Sequence, residues 1–298
     1  MTNKELRRNP YVELSAICHA KPAPYTGPMS IVSRFAPSPT GYLHLGHAYS
    51  AWLARRRADV LRLRLEDIDT TRCRPEFGAA IAEDLQWLGL EWQGEIRVQS
   101  AHFPEYAASL AQLRERGLLY PCFCTRADIA RAITAPHGVE QSYPGTCRHL
   151  NETERAEKLA AGTAYAWRLD TAAAIAQSGP LKFFDEHKGW ITAQPERLGD
   201  VVLARKDTPA SYHLCVVHDD ALQNITHIIR GEDLFESTHI HILLQTLLGL
   251  PSPIYAHHKL LTGPDGKRLA KRDRSLTLRE MRAAGTTAAS ILNNFEAA

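Results

Sequence analysis

A turn rich in proline and glycine that leads directly into a helical pattern constrains the fold of this chain more than any other feature. The turn occupies residues 34–47 and follows the short apolar run Ile31–Val32. A strand-to-helix turn of this kind presents backbone N–H groups and the positive end of a helix dipole, an arrangement that suits phosphate groups. His44 and His47 flank Gly46 at the junction and can donate hydrogen bonds to phosphate oxygens. Taken alone, the run His-Leu-Gly-His favours an ordinary tight turn with two surface histidines.

Strand and helix patterns alternate on both sides of a long interruption. Residues 60–65 alternate as a strand, and Pro75 opens a helix that Gly89 ends. Such alternation predicts an α/β fold built from βαβ units of a parallel sheet. Cysteines, turns and short elements interrupt the alternation between about Tyr120 and Asp200. We therefore predict an N-terminal extension at 1–30, an α/β catalytic domain at 31–119 and 201–275, an inserted subdomain at 120–200 and a short helical C-terminus at 276–298.

Charge, apolar runs and cysteine spacing indicate the cellular compartment and the binding partners of this chain. The formal net charge of +2 over 298 residues is too small to predict nucleic-acid binding. Any such prediction depends on local basic clusters such as Lys267–Arg274. The chain has no apolar run of membrane-spanning length and no signal-peptide pattern. Its six cysteines are too scattered for a secreted disulfide framework. We expect a cytoplasmic protein that is a monomer and does not contact membranes.

Residues 260–272 form a second candidate phosphate site. The turn dipeptides Gly263-Pro264 and Asp265-Gly266 place the basic residues that follow them on a loop. A flexible cationic loop that closes over a triphosphate can stabilise the charge that develops on a leaving pyrophosphate. Composition alone favours a basic surface turn instead.

Cys122, Cys124 and Cys147 indicate a metal site. A Cys-x-Cys pair can place two thiolates on one metal ion, although Cys-x-x-Cys is the commoner spacing. A closed tetrahedral site needs a fourth ligand, and imidazole is the usual partner of thiolates. Three residues compete for that place: Tyr143, His137 and His149. The alternative is three thiols without a metal.

Two segments resemble the signatures of a known enzyme family. The run Arg34-Phe-Ala-Pro-Ser-Pro-Thr-Gly-Tyr-Leu-His-Leu-Gly-His47 resembles the first ATP-binding signature of class I aminoacyl-tRNA synthetases, in the form found in the glutamyl/glutaminyl branch. The run Arg268-Leu-Ala-Lys-Arg272 resembles the second signature, except that Arg268 stands where the family has lysine and Ala270 where it has serine. The resemblance implies a Rossmann-type parallel sheet and ATP bound with Mg²⁺. It gives catalytic roles to His44, His47 and Lys271, and ATP-binding roles to these three and Gly46.

The same resemblance implies that the amino acid substrate is L-glutamate. The positions that match the family's glutamate contacts are Arg34, Ser38, Glu66, Tyr212 and Arg230. A guanidinium group binds a carboxylate through two parallel charge-assisted hydrogen bonds, which suits free glutamate. The carboxylate of Glu66 can hold the substrate ammonium. Taken singly, Tyr212 would be a core residue and Arg230 a surface residue, but their order along the chain predicts a glutamate site.

The cysteines extend the resemblance to a short group within the family, the glutamyl-queuosine tRNA(Asp) synthetases. The zinc pattern of this group, Cys-x-Cys followed by Tyr-x-x-x-Cys, matches Cys122, Cys124, Tyr143 and Cys147 and implies one structural Zn²⁺. Only 26 residues follow Arg272, where family members that charge the 3′ end of tRNA carry a long anticodon-binding region. The resemblance therefore implies transfer of glutamate to queuosine in the anticodon of tRNA(Asp).

Two other functions stay open at this point. The first is a truncated glutamyl-tRNA synthetase that charges tRNA(Glu), and the expected lack of an anticodon-binding region argues against it. The second is a non-catalytic paralogue that binds RNA or glutamate. Arg268 and Ala270 favour such a paralogue, whereas the retention of His44, His47 and Lys271 argues against it.

Overall fold

Strands and helices alternate through most of the computed structural model, which describes residues 30–125, 127–129, 143–261 and 276–296. No helix within these ranges is long and apolar enough to cross a membrane. The strands are β1 (Val32–Phe35), β2 (Val60–Leu65), β3 (Arg97–Val98), β4 (Leu119–Cys122), β5 (Ala166–Leu169), β6 (Lys182–Asp185), β7 (Gly189–Thr192), β8 (Val202–Ala204), β9 (His227–Gly231) and β10 (Ile254–His258). The helices are α1 (Leu45–Arg57), α2 (Pro75–Trp87), α3 (Phe103–Glu115), α4 (Glu152–Ala160), α5 (Thr171–Ser178), α6 (Tyr212–Leu222), α7 (Phe235–Leu248), α8 (Leu278–Ala283) and α9 (Ala288–Glu296).

The large sheet is assembled around β1. Strand β1 pairs in parallel with β2, which pairs in parallel with β3, and β10 pairs in parallel with both β9 and β6. The N–H of Thr226, just before β9, donates to the carbonyl of Val32 at 2.9 Å, so the two groups of strands adjoin. The order of strands reverses between β1 and β9, and ligands of open parallel sheets bind at the carboxyl ends of the strands at such a point. The predicted α/β fold with a parallel sheet is confirmed.

Helix α1 packs against the sheet through small side chains. Its fully buried residues are Ala48, Ala51 and Ala54. Alanines let the helix lie close to β1 and β9, where a larger side chain would hold it away. The apolar residues Ala48, Tyr49, Trp52 and Leu53 predict the inner face of this helix. Ala48 is buried as predicted, but the rings of Tyr49 and Trp52 are only partly buried and contact Phe295 of α9, with centroids 5.3 and 5.7 Å apart.

Residues 120–200, predicted as an inserted subdomain, contribute strands to two sheets. Strands β4, β5 and β8 form a small antiparallel sheet. The hairpin of β6 and β7 instead joins the large sheet, where Asp185 lies beside Tyr255 of β10. Part of this segment therefore belongs to the sheet of β9 and β10, which adjoins β1, and the domain boundaries stay a prediction.

Candidate active site

A cavity of about 450 Å³ lies at the carboxyl ends of β1, β9 and β10. Its walls come from parts of the chain that are distant in sequence. The predicted ATP-binding and glutamate-binding residues within the described ranges all line it: Arg34, Ser38, His44, Gly46, His47, Glu66, Tyr212 and Arg230. Lys271, predicted for the same site, lies outside the described residues, as do Arg268 and Ala270. The structure thus brings the predicted residues together, and the role of each one stays a prediction.

Two histidines cap the start of α1. The N–H of Gly46 donates to Nδ1 of His44 at 3.1 Å, and the N–H of His44 donates to Nδ1 of His47 at 3.2 Å. Because each Nδ1 accepts a hydrogen bond, each neutral ring carries its proton on Nε2, and Nε2 is the ring atom that can donate to a phosphate oxygen. The backbone N–H of Gly46, a residue predicted to bind ATP, donates to His44 within the turn.

Arg34 belongs to a buried charge network that the sequence analysis missed. Its Nε donates to Asp220 at 3.0 Å, and Nη1 of Arg64 donates to the same carboxylate at 2.8 Å. Burial alone would raise the pKa of Asp220, but the two guanidinium groups outweigh burial and hold that pKa below its usual value. The available signal was the acidic pair Asp219-Asp220 near the end of an otherwise apolar helical pattern.

Glu66 continues this network toward the cavity. Its Oε1 accepts a hydrogen bond from Nη2 of Arg64 at 3.2 Å. Burial raises the pKa of Glu66 above its usual value, although Arg64 and Arg34 oppose the shift. The ionised residue can therefore supply a counter-charge for an ammonium group, and it loses that capacity at a higher pH than an exposed glutamate would.

Replacing Asp220 by asparagine is expected to lower the free energy of unfolding by about 3 kcal/mol, because it leaves two buried guanidinium groups without their shared carboxylate. Chemical denaturation measures this effect. The matched control is Asp207→Asn, since Asp207 is 68% exposed and lies 3.5 Å from Arg205; a surface pair of this kind contributes about 0.5 kcal/mol or less. Equal stability of the two variants would contradict the structural role of Asp220.

Arg230 is a buried cation whose partners carry no charge. Its Nε donates to Nε2 of His257 at 3.1 Å, and its Nη2 donates to Oγ1 of Thr238 at 2.7 Å. Its Nη1 lies 3.5 Å from the hydroxyl of Tyr212 and 3.4 Å from Nδ1 of His241. Within the described ranges no carboxylate pairs with this guanidinium group. A buried charge is costly without an opposite charge, so the arrangement favours an anionic ligand at Arg230.

A second cavity, of about 810 Å³, shares Ser38, Glu66 and Tyr212 with the first. Its basic lining residues are Arg72, Arg168, Arg205 and Lys206. Its acidic lining residues are Glu66, Asp69 and Asp207, of which Asp69 pairs with Arg72 at 2.6 Å and Asp207 with Arg205 at 3.5 Å. Arg168 and Lys206 have no such acidic partner in the lining and suit a ligand with phosphate groups. A molecule in the second cavity would meet a molecule in the first at their shared wall.

Three thiols and a phenol converge beside the second cavity. The sulfur atoms of Cys122, Cys124 and Cys147 lie within 4.8 Å of one another. The hydroxyl of Tyr143 lies 3.4 Å from Sγ of Cys122 and 3.5 Å from Sγ of Cys124. This donor set can hold a metal ion, because thiolates at such distances can share one tetrahedral centre.

The other two candidates for the fourth ligand position are His149 and His137. His149 is exposed, and across the described ranges the cluster of potential ligands from His, Cys, Asp and Glu comprises the three cysteines without it. His137 lies outside the described residues. The geometry therefore favours the phenol oxygen of Tyr143 over the imidazole of His149.

The sequence of this chain matches one family of known proteins over most of its length. The sequence profile of the family described as tRNA synthetases class I (E and Q), catalytic domain, matches residues 30–296. The "Glutamyl-Q tRNA(Asp) synthetase" of Rhodobacter capsulatus is 45% identical over 280 residues, which cover 88% of this chain and 98% of that relative. A relative of the same description from Nocardia farcinica is 43% identical over 263 residues, which cover 87% of this chain and 81% of that relative.

Solved structures of this enzyme class have the same fold as this chain. A glutamate tRNA ligase from Elizabethkingia meningosepticum, crystallised in complex with its amino acid, superposes with a TM-score of 0.69 at 29% identity. The match covers 82% of this chain and 52% of that one, so this chain spans about half the length of the solved ligase. With the profile match over residues 30–296 and curated relatives above 40% identity, this chain belongs to the class I tRNA synthetases of the E and Q type.

Proposed function

We propose that this chain activates L-glutamate with ATP and transfers it to queuosine in the anticodon of tRNA(Asp). The observation that supports this most directly is Arg230, a buried cation on the cavity wall whose partners are all uncharged. We also propose that the protein acts in the cytoplasm as a monomer, for which light scattering on the purified protein is the test of mass.

The charges of the cavity complement those of glutamate group for group. Glutamate carries two carboxylates and one ammonium, and the cavity presents the guanidinium groups of Arg34 and Arg230 with the carboxylate of Glu66. Arg34 already pairs with Asp220, so Arg230 has the larger share of its charge available to a ligand. Tyr212 lies beside Arg230 and can donate its hydroxyl to the same carboxylate.

Activation joins the glutamate α-carboxylate to the α-phosphorus of ATP. A carboxylate oxygen forms the new P–O bond while the bond to the β-phosphate oxygen breaks, and pyrophosphate leaves with the electron pair. No nucleophile from the protein is needed, because positioning and charge stabilisation suffice for such a step. We assign the phosphate contacts to Nε2 of His44 and His47, with Lys271 on the basic loop. Mg²⁺ bound with ATP supplies further positive charge for the phosphates.

Transfer requires an acceptor hydroxyl at the adenylate carbonyl, and the second cavity offers the route. Its shared wall with the first cavity includes Ser38, Glu66 and Tyr212. The hydroxyl oxygen forms the new ester bond, its proton passes to solvent or phosphate, and AMP leaves. We assign Arg168, Arg205 and Lys206 to the RNA backbone near this acceptor.

We further propose that Cys122, Cys124, Tyr143 and Cys147 bind one structural Zn²⁺. Support comes from three contacts of 3.4 to 3.5 Å among these sulfur and phenol oxygen atoms beside β4, with all three sulfur atoms within 4.8 Å of one another. A closed site of this kind fixes loops that hold too few apolar contacts to order themselves. The metal would thereby shape the wall of the second cavity, which Cys122 and Cys124 line.

Two assays test the proposed function. Glutamate-dependent exchange of pyrophosphate into ATP, without tRNA, tests activation. No exchange at saturating substrates would refute the proposal that this chain activates glutamate and would favour a non-catalytic binding protein. Charging of tRNA(Asp) with and without queuosine tests the acceptor, with tRNA(Glu) as the comparison. The rival acceptor is the tRNA(Glu) end, since glutamate–tRNA ligases from Methylococcus capsulatus and Aquifex aeolicus are 36% and 37% identical to this chain. The higher identity to the queuosine-related group favours the modified anticodon, and equal charging of both tRNA(Asp) forms would refute it.

The KM for glutamate is expected to rise as pH falls, with an onset above the ordinary pKa of a glutamate side chain. Burial raises the pKa of Glu66, so the residue is protonated, and loses its charge for the ammonium group, at a higher pH than an exposed carboxyl. Below that point KM should rise about tenfold per pH unit. Exchange assays from pH 7.5 to 5.5 measure the profile. Glu66→Gln should show a high KM that stays flat over the same range, and a parallel rise of KM in both proteins as pH falls would exclude Glu66 as the cause.

A further inference from the structure

Asp185 and His257 form a buried pair behind Arg230, and neither residue has a role in the reaction described above. Oδ2 of Asp185 lies 2.7 Å from Nδ1 of His257, and neither side chain is exposed to solvent. Oδ1 of Asp185 accepts the backbone N–H groups of His187 and Lys188 at 2.9 and 3.0 Å. The turn between β6 and β7 therefore fixes this carboxylate in place.

The proton of His257 can occupy only one of its two ring nitrogens. Nε2 of His257 accepts a hydrogen bond from Nε of Arg230 at 3.1 Å, and a guanidinium group can only donate. Nδ1 must therefore carry the proton and donate it to Asp185. Burial, followed by the charge of Arg230, lowers the pKa of His257 to about 4 against the opposing effect of Asp185. The ring is neutral at pH 7, and the hydrogen bonds run in one direction, from Arg230 through His257 to Asp185.

We propose that Asp185 and His257 are positioning residues that hold the guanidinium plane of Arg230 in the orientation needed for substrate. This proposal rests on the proposed function, in which Arg230 binds a carboxylate of glutamate. The imidazole of His257 lies between the carboxylate of Asp185 and Nε of Arg230 and is hydrogen-bonded to both, so the carboxylate orients the guanidinium group without direct contact between the two charges. Arg230 is oriented by an acid and still keeps its positive charge for the ligand.

Arg34 provides the contrast within the same cavity. Its Nε contacts the carboxylate of Asp220 directly, at 3.0 Å, so part of its charge is already compensated. In Arg230 the contacts of Nε and Nη2 are 2.7 to 3.2 Å long, whereas those of Nη1 are 3.4 and 3.5 Å. The short contacts hold one edge of the guanidinium group. The Nη1 edge, which borders the cavity beside Tyr212, is held more weakly and can adjust to a substrate carboxylate.

Two substitutions of His257 separate its two hydrogen bonds. In His257→Asn the amide nitrogen lies near the former Nδ1 and keeps the bond to Asp185, but Nε of Arg230 loses its acceptor. In His257→Gln the amide oxygen reaches the former position of Nε2 and keeps the acceptor for Arg230, but the donor to Asp185 is lost. We expect His257→Asn to raise the KM for glutamate about tenfold to hundredfold, and His257→Gln about threefold to tenfold. The KM for ATP should stay within about twofold in both variants.

The matched control is His239→Asn. His239 is 2% exposed, and its Nδ1 accepts the N–H of Gln194 at 3.1 Å. Asparagine can keep this acceptor, and His239 makes no hydrogen bond to Arg230. Both KM values should therefore match the wild-type values. A thermal melt of each variant shows whether it is folded, and a purely structural role of His257 would change both KM values together.

The outcomes separate this proposal from the proposed function. An unchanged glutamate KM in His257→Asn, with exchange intact, overturns the positioning role and leaves glutamate activation standing. Absence of exchange in the wild type refutes the proposed function. The hydrogen bonds from Arg230 through His257 to Asp185 are then tested by ¹⁵N NMR of labelled histidines in the full chain. The signal that disappears in His257→Gln must show a protonated Nδ1 and an unprotonated Nε2 from pH 7.5 to 5.5. A protonated Nε2 in that signal overturns the proposal.

Discussion

Replacing Arg230 by glutamine is expected to lower kcat/KM for glutamate by about 10²-fold to 10³-fold. The loss corresponds to about 3–4 kcal/mol, the usual cost of removing one partner from a buried, hydrogen-bonded charge pair. Most of the change should fall on the KM for glutamate, because the interaction exists in the ground state as well as in the transition state. Pyrophosphate exchange measures both constants, and the KM for ATP should stay near its wild-type value.

Two further variants sharpen this test. Arg230→Lys keeps the charge but loses the planar fork and the bond from Nε to His257, so an intermediate loss is expected. Arg57→Gln removes a half-exposed guanidinium group that pairs with Glu186 at 2.6 Å, away from the cavity, and should leave the kinetics unchanged. A wild-type glutamate KM in Arg230→Gln would show that the carboxylate binds elsewhere.

Replacing Cys122 by serine is expected to abolish zinc binding and to lower the melting temperature by about 8 °C or more. A metal present at a thousandfold excess over its dissociation constant stabilises the folded state by about 4 kcal/mol, and each kcal/mol shifts the melting temperature of a large domain by about 2–4 °C. Metal analysis by mass spectrometry should find about one zinc per chain in the wild type and almost none in the variant.

Cys73 and Tyr143 provide the comparisons for the metal site. Cys73→Ser removes a thiol that is not in the cluster and should leave the zinc content unchanged. Tyr143→Phe removes only the phenol oxygen, so zinc should be retained with an affinity about 10-fold to 100-fold weaker. Equal zinc content in the wild type and Cys122→Ser would refute the site, and an unchanged affinity in Tyr143→Phe would refute the fourth ligand.

Local patterns predicted the frame of the active site well. The turn at 34–47, the strand at 60–65 and the segment around Arg230 each encode their own backbone, and parallel strands bring their carboxyl ends to one edge. The predicted glutamate and phosphate residues from these segments therefore line one cavity. Side chains that act through distant partners were not predictable in the same way. Asp220 contacts Arg34 across 186 positions and Asp185 contacts His257 across 72, and no local period records such distances.

Two other differences have local causes. The predicted inner face of α1 contained Ala48 together with the larger Tyr49, Trp52 and Leu53, but close packing against β1 and β9 buries only the alanines, which periodicity rules score weakly. For the metal site, ligand chemistry alone favoured a histidine. The chain path places the Tyr143 hydroxyl next to the N–H of Cys147, at 2.8 Å, and leaves the ring of His149 exposed. The turn from Tyr143 to Cys147 thus favours the phenol as the fourth ligand, whereas general ligand preference favours a histidine.

The pairing of β6 with β10 affects how this protein can be recombined with its relatives. A chimaera that exchanges residues 120–200 as one block would import a foreign β6, and with it the carboxylate opposite His257. Such a graft would change the surroundings of His257 and, through it, of Arg230. Junctions placed before Lys182 and after Thr192 would leave the hairpin with its own sheet. The rest of residues 120–200 could then be exchanged while the carboxylate opposite His257 stays that of the host.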